Sequence, residues 1–252
     1  MIKRALCLLA FLGLAACGAG SGQCALMSCG VAQIDITVFA AASLQPAFDK
    51  IAAQLPPHLH VTFSYAGTQT LTSQLTQGAQ ADVFASADTA HMTAVQNAGL
   101  LDGQPKVFVH NRLEIAVEHG NPKGIHTLAD LTKPGLAVVL ADPSVPAGKY
   151  AQQALTKAGV TVHPASLEPQ VTGVLSKVEL GEADAGIVYV SDVTTSGRVD
   201  GIAIPESQNV VADYVIATLK SAQSKSGADV FIRYVLSPPG QAILAAAGFE
   251  KA

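Results

Sequence analysis

From residue 34 onward the chain alternates short apolar runs with helical patterns, and nothing else in it constrains the fold so tightly. Residues 36–41, 61–66, 81–87 and 113–118 read as strands, while 44–55, 70–77 and 89–98 carry helical spacing. The theme continues with strands at 136–141, 185–190 and 210–219 and a helical turn at 128–131. Further helices are expected at 147–158, 171–180, 230–236 and 241–247. Gly99, Gly159 and Gly181 sit where three of these helices should stop, as expected of the residue that best accepts a left-handed C-terminal turn. Such alternation implies an α/β chain whose sheets are mixed, mostly parallel and flanked by helices. No internal sequence repeat is present.

The first residues bear on the compartment. Lys3 and Arg4 form a basic start, residues 5–14 are apolar, and Leu14-Ala15-Ala16-Cys17 follows. That stretch is too short for a mature membrane span and reads as a secretory signal over 1–17. Its end resembles the bacterial lipobox, in which the cysteine, here Cys17, becomes the lipid-modified first residue. Cleavage without lipid is the alternative. Residues 18–33 are rich in Gly, Ser and Cys and read as a flexible tether. Cys24 and Cys29 would be left in an oxidising compartment, where they could close a small disulfide loop. No later segment is apolar for long enough to cross a bilayer, so the lipid would be the sole attachment to the membrane.

With 13% charged residues, a formal net charge of −4, no Trp and no basic block, the chain offers nothing to nucleic acid. A mildly acidic protein that binds an anion must use local donors, because its overall field does not help.

Four junctions supply such donors. Ala40-Ala41-Ala42 leads into Ser43, whose hydroxyl either caps the following helix or turns with neighbouring N–H groups toward a ligand. The alanines leave room for something to approach the backbone. Gly67-Thr68-Gln69 repeats the arrangement with a threonine hydroxyl, and an ordinary helix cap by Thr68 or Thr70 is the competing reading. Pro146-Ala147-Gly148 opens a helix with two unencumbered N–H groups. Pro169-Gln170-Val171 opens another, offering the N–H of Val171. Tyr189, at the end of an apolar strand, can add a phenolic donor, although a lone tyrosine there is more often core.

These motifs, in this order and at these separations, resemble the molybdate-binding proteins that serve ABC transporters, of the type II periplasmic-binding-protein class. The resemblance spans about residues 36–249 and rests on Phe39 to Leu44, 81–88, 142–150 and 186–192. It implies two α/β lobes with a ligand cleft between them, lobe 1 formed by 34–114 and 212–252, lobe 2 by 115–211. The chain would cross between lobes near 107–118 and 210–219. Carried over residue by residue, the oxyanion contacts fall on Ser43, Thr68, Ala147, Val171 and Tyr189. Thr68 departs from the run of serines usual there. Asp82 and Asp88 would cap or brace, since they would repel an anion. The ligand would be molybdate or tungstate, the partner a membrane permease, and the protein a monomer with no cofactor, no catalytic residue and no direct metal-cation site.

Donor-only sites suit a bare tetrahedral dianion, which has acceptors alone. Protonated phosphate would strand its own O–H at about 1–3 kcal/mol. Sulfate must be refused by size. A binding protein for sulfate or phosphate is the nearest rival. A hydrolase lacks any Gly-x-Ser-x-Gly, His-Glu-x-x-His or Walker motif. His58-x-His60 suggests metal capture, but its neighbours Pro56-Pro57 place it at a solvated loop edge.

Overall fold

The computed structural model describes residues 32–252. Cys17, the signal, nearly all of the tether and the pair Cys24 and Cys29 lie outside the described residues. Elements run β1 (Ile34–Ala41), α1 (Gln45–Ala52), β2 (Leu59–Ala66), α2 (Thr68–Thr76), β3 (Val83–Ser86), α3 (Thr89–Asn97) and β4 (Lys106–Asn111). Next come β5 (Leu113–Glu118), β6 (Val138–Ala141), α4 (Pro146–Ala158), β7 (Ser166–Glu168), α5 (Val171–Glu179), β8 (Ala185–Tyr189) and α6 (Val190–Ser196). The chain ends with β9 (Val199–Ala203), β10 (Ala212–Thr218), α7 (Lys225–Leu236), α8 (Pro238–Ala246) and β11 (Glu250–Lys251).

Two sheets result, each the centre of a lobe. The first has the order β11-β4-β10-β3-β1-β2 and the second β7-β6-β8-β5-β9. Strands β6 and β8 of the second sheet are apolar without interruption because helices cover both faces. All five residues of β8 are buried, as are Val38 to Ala41 of β1. The sheets are mixed, with four parallel pairings and five antiparallel ones. Parallel pairing is confined to β1 with β2 and β3, and to β6 with β7 and β8. The mostly parallel character expected from the alternation is thus limited to those strands, and β10 and β5 run against their neighbours.

Phe48, Phe63, Phe108 and Phe231 form an aromatic cluster on one face of the first sheet, Phe48 and Phe231 meeting edge to face at 5.4 Å. Leu71, Leu75, Met92 and Val95 cover its other face beneath α2 and α3. The chain passes from the first sheet to the second at Arg112 and returns between Ala203 and Ala212, so β10 lies wholly in the first sheet. Asn209 ties the two crossings together. Its Nδ2 donates to the carbonyls of Leu113 at 2.9 Å and Ile204 at 3.3 Å, and its Oδ1 accepts from the N–H of Leu113 at 3.0 Å. Both ends of this buried amide are satisfied, so the clasp holds the two crossing segments side by side.

Helix starts and stops follow local chemistry. Asp88 caps α3 by accepting from the N–H of His91, Ser224 caps α7 and Ser237 caps α8. Gly159 ends α4 with φ +67°. The expected boundaries hold within a few residues, but α6 is a helix where the sequence carries the strand-favouring run Val190-Ser-Asp-Val-Thr-Thr.

Candidate functional site

The strands β1, β2 and β6 end at one place, and the turn after β7 joins them there. Each delivers the chain into a helix start. Ser43, Thr68, Ala147, Val171 and Tyr189 all line one small cavity at that convergence, together with Ala41, Ala42, Gly67, Pro146 and Gln170. Residues drawn from both sheets and far apart in sequence are thereby brought to a single point.

The helices facing this cavity begin differently from the others. The N-caps of α1, α2, α4 and α5 (Leu44, Gly67, Val145 and Gln170) carry no side-chain capping hydrogen bond. Those of α7 and α8, elsewhere in the fold, do, and so does that of α3, whose cap Asp88 follows Ala87 at the cavity's edge. First-turn N–H groups have no partner within a helix. Leaving the starts of α2, α4 and α5 uncapped around one cavity creates a cluster of donors reinforced by helix dipoles.

The hydroxyls add to that cluster. Thr68 is 1% exposed, and its Oγ1 accepts from the N–H of Ala87 at 3.2 Å. Its own proton is therefore left to donate. Ser43 is buried, with Oγ 2.8 Å from the phenolic oxygen of Tyr214. Tyr189 is fully buried, and its hydroxyl has no hydrogen-bond partner among the described residues. Burial, as the largest cause, raises both tyrosine phenols well above their usual range, so both stay protonated. Their rings pack edge to face at 5.8 Å.

No ionisable side chain other than tyrosine lines the cavity. The nearest acids are turned to other work. Asp88 accepts from the N–H and Nδ1 of His91 at 2.9 Å. Asp82 braces the first lobe by accepting from the N–H groups of Thr37 at 2.7 Å and Ser224 at 2.9 Å. Asp192 accepts from the N–H of Tyr189 at 3.0 Å, and burial pushes its carboxyl up to about 7. Gly148 is required for close packing, because a Cβ there would run into the carbonyl oxygens of Ala141 and Asp142.

A larger open groove of about 930 Å³ lies against α4, lined by Lys149, Gln152, Leu155 and Leu167 among others. It contains none of the five residues, and its lining, Lys149, Gln152, Gln153 and Lys157 included, comes from the second sheet's side alone, whereas the smaller cavity gathers helix starts from both sheets and is the candidate site. His58 and His60 are not brought to any cluster. His60 is well exposed beside Asp35, and among the described residues no three metal-ligating side chains converge. Tyr214 escaped the sequence analysis, since a tyrosine inside the apolar strand β10 carries no signal of its hydroxyl's partner.

Comparison with known proteins places this geometry in context. The family of bacterial extracellular solute-binding proteins matches residues 36–250. The chain belongs to that family. This solute-binding protein is 45% identical over 243 residues to the molybdate-binding protein ModA of Mycobacterium tuberculosis H37Rv, covering 95% of this chain and 93% of that one. The resemblance drawn from the motifs thus holds along nearly the whole chain. Among solved structures, the periplasmic molybdate-binding protein of Azotobacter vinelandii superposes with a TM-score of 0.76 at 21% identity, covering 86% of this chain and 99% of that one. The sulfate-binding protein SubI of Mycobacterium tuberculosis reaches 0.80 at 18% identity over 87% and 88%. At those identities the solute-binding protein shares their fold, and the fold alone does not select an anion.

Proposed function

We propose that this solute-binding protein captures molybdate or tungstate outside the cytoplasm and delivers it to an ABC transporter permease. Ser43, Thr68 and Tyr189 donate hydroxyl protons to the oxyanion, and Ala147 and Val171 donate backbone N–H groups. The protein binds and releases, making and breaking no bond. Lipidation at Cys17 would hold a monomer at the membrane beside its permease.

One observation carries this reading: a fully buried, unpartnered tyrosine hydroxyl points its donor capacity into a cavity ringed by uncapped helix starts. Its hydroxyls and helix-start N–H groups can all donate, which suits a ligand with acceptors only. In a dry cleft such oriented neutral dipoles stabilise a dianion without a lysine or arginine. A protonated phosphate would leave its O–H unpaired at about 1–3 kcal/mol. The relatives that are named for molybdate favour it over the smaller sulfate. Closure of the two lobes would bring both sets of donors onto the ion and give the permease a form distinct from the empty one.

Thermal melts with molybdate, tungstate, sulfate and phosphate test the proposal. At about a hundred times its dissociation constant a specific ligand adds about 2.7 kcal/mol. For a domain of this size that raises Tm by about 5–10 °C. Shifts with molybdate and tungstate alone are expected. A shift with sulfate or phosphate alone would overturn the assignment of the anion.

A further inference from the structure

Gln69 stands just outside the candidate site, at the first turn of α2, and does something none of the five residues does. Its Nε2 donates to the carbonyl oxygen of Pro169 at 2.8 Å, across a separation of 100 positions. Among the described residues this is the one side-chain hydrogen bond that joins the two lobes away from the crossing segments. The others between lobes, such as Asn111 Nδ2 to Ser191 Oγ at 2.8 Å, gather at those segments. Pro169 immediately precedes Gln170 and Val171, the uncapped start of α5. Thr68, the neighbour of Gln69, carries the α2 hydroxyl that lines the cavity. The bond therefore bridges the two helix starts that would grip an anion from opposite sides.

Gly67 makes the bridge possible. A Cβ at that position would lie 2.5 Å from Oε1 of Gln69, 2.6 Å from its Nε2 and 2.6 Å from the carbonyl oxygen of Pro169. The backbone of Gly67 is in an extended conformation at φ −58°, which any residue can adopt. Glycine is needed here for space, so that the amide and the opposing carbonyl can occupy the volume of a side chain. The other end of the amide is less well served: Oε1 is buried and has no partner. One end of the amide is bonded and the other stranded, so the closed contact carries a cost that exposure of Oε1 to water would relieve.

We propose that Gln69, seated on Gly67, is a latch that keeps the lobes closed and sets how long the bound anion stays. The inference rests on the reading of the cavity as an oxyanion site only for the identity of what is retained. Because the bond forms after the lobes meet, its loss should appear in release far more than in capture.

Two substitutions in the full chain test this. Gln69→Met keeps the bulk over Gly67 and removes both polar ends, and Gln69→Asn keeps the amide but falls one methylene short of Pro169. Stopped-flow release of molybdate is expected to quicken about two- to tenfold in both variants, the fold-change equivalent to one net hydrogen bond. The Tm of the free protein should stay at its wild-type value and capture should be no slower than in wild type, which a merely structural role for Gln69 would not allow. In the free protein, amide hydrogen exchange at the first turns of α2 and α5 should also accelerate in both variants. If wild type retains molybdate and release is unchanged in Gln69→Met, the latch is overturned while the site stands. If wild type binds no oxyanion, the functional proposal fails and hydrogen exchange decides the latch, with unchanged protection at both turns refuting it.

Discussion

Replacing Tyr189 by phenylalanine should move stability and binding in opposite directions. The phenol is 1% exposed and its oxygen has no partner among the described residues, so the free protein bears the cost of a stranded hydroxyl. That cost is about 1–3 kcal/mol. Phenylalanine keeps the ring and its edge-to-face contact with Tyr214 at 5.8 Å, so little packing is lost. The free variant should therefore melt higher, by about 2–10 °C for a domain of this size. Binding should suffer, because a hydrogen bond to a charged partner contributes about 1.5–3 kcal/mol. Affinity for molybdate falls by about 10- to 150-fold on that scale. Calorimetric titration and thermal melts of both proteins read the two effects separately. A Tyr189→Phe protein that melts lower than wild type and binds molybdate as tightly would refute the reasoning, since the hydroxyl would then be a partnered core group.

Three further outcomes follow from named contacts. Gly148→Ala would force a methyl group into the carbonyl oxygens of Ala141 and Asp142; a loss of about 1–3 kcal/mol in denaturant unfolding is expected, together with weaker binding through Ala147. Tyr214→Phe removes the phenol 2.8 Å from Ser43 Oγ, which must donate to Ser43 if Ser43 donates to the ligand; molybdate affinity should fall several-fold, and an unchanged titration would contradict that relay. Asp192 is held up to about 7, so the folded state binds its proton more tightly than the unfolded chain does. Its contribution to stability is then present at low pH and lost as pH rises from about 4 to about 7, by on the order of 4 kcal/mol. Melts of wild type and Asp192→Asn across that range should diverge in the variant's favour with rising pH, whereas parallel curves would show that the carboxyl is not strained. Asp142 and Asp200, half-buried and held low first by Ser144 and by the N–H of Gly120 respectively, act in the separate window below pH 4.

Much of the site was legible because its donors sit at strand-to-helix junctions, and small residues there leave a visible mark. Ala41 to Ser43, Gly67-Thr68 and Pro146-Ala147 are each local in sequence, and folding brings them to one cavity. The partners of those groups were not legible. Tyr214 is 171 positions from Ser43, and Pro169 is 100 from Gln69. Periodicity says nothing about such pairings. Strand direction was hidden for a related reason: a buried run such as Val215-Ile216-Ala217 reads the same whether its neighbour is parallel or antiparallel. The helix α6 was missed because Val190, Val193, Thr194 and Thr195 favour a strand on propensity. Tertiary context overrides that preference, with Asp192 closing the first turn through the N–H of Tyr189.

The central claim is that the cavity joining the two lobes holds the oxyanion. Crystals grown with molybdate and measured at the molybdenum absorption edge would locate the metal directly by its anomalous signal. The account predicts one peak in the cavity, with ligand oxygens in hydrogen-bond range of Ser43, Thr68 and Tyr189 hydroxyls and the N–H groups of Ala147 and Val171. A peak elsewhere, or none in a crystal of protein that binds molybdate in solution, would contradict it.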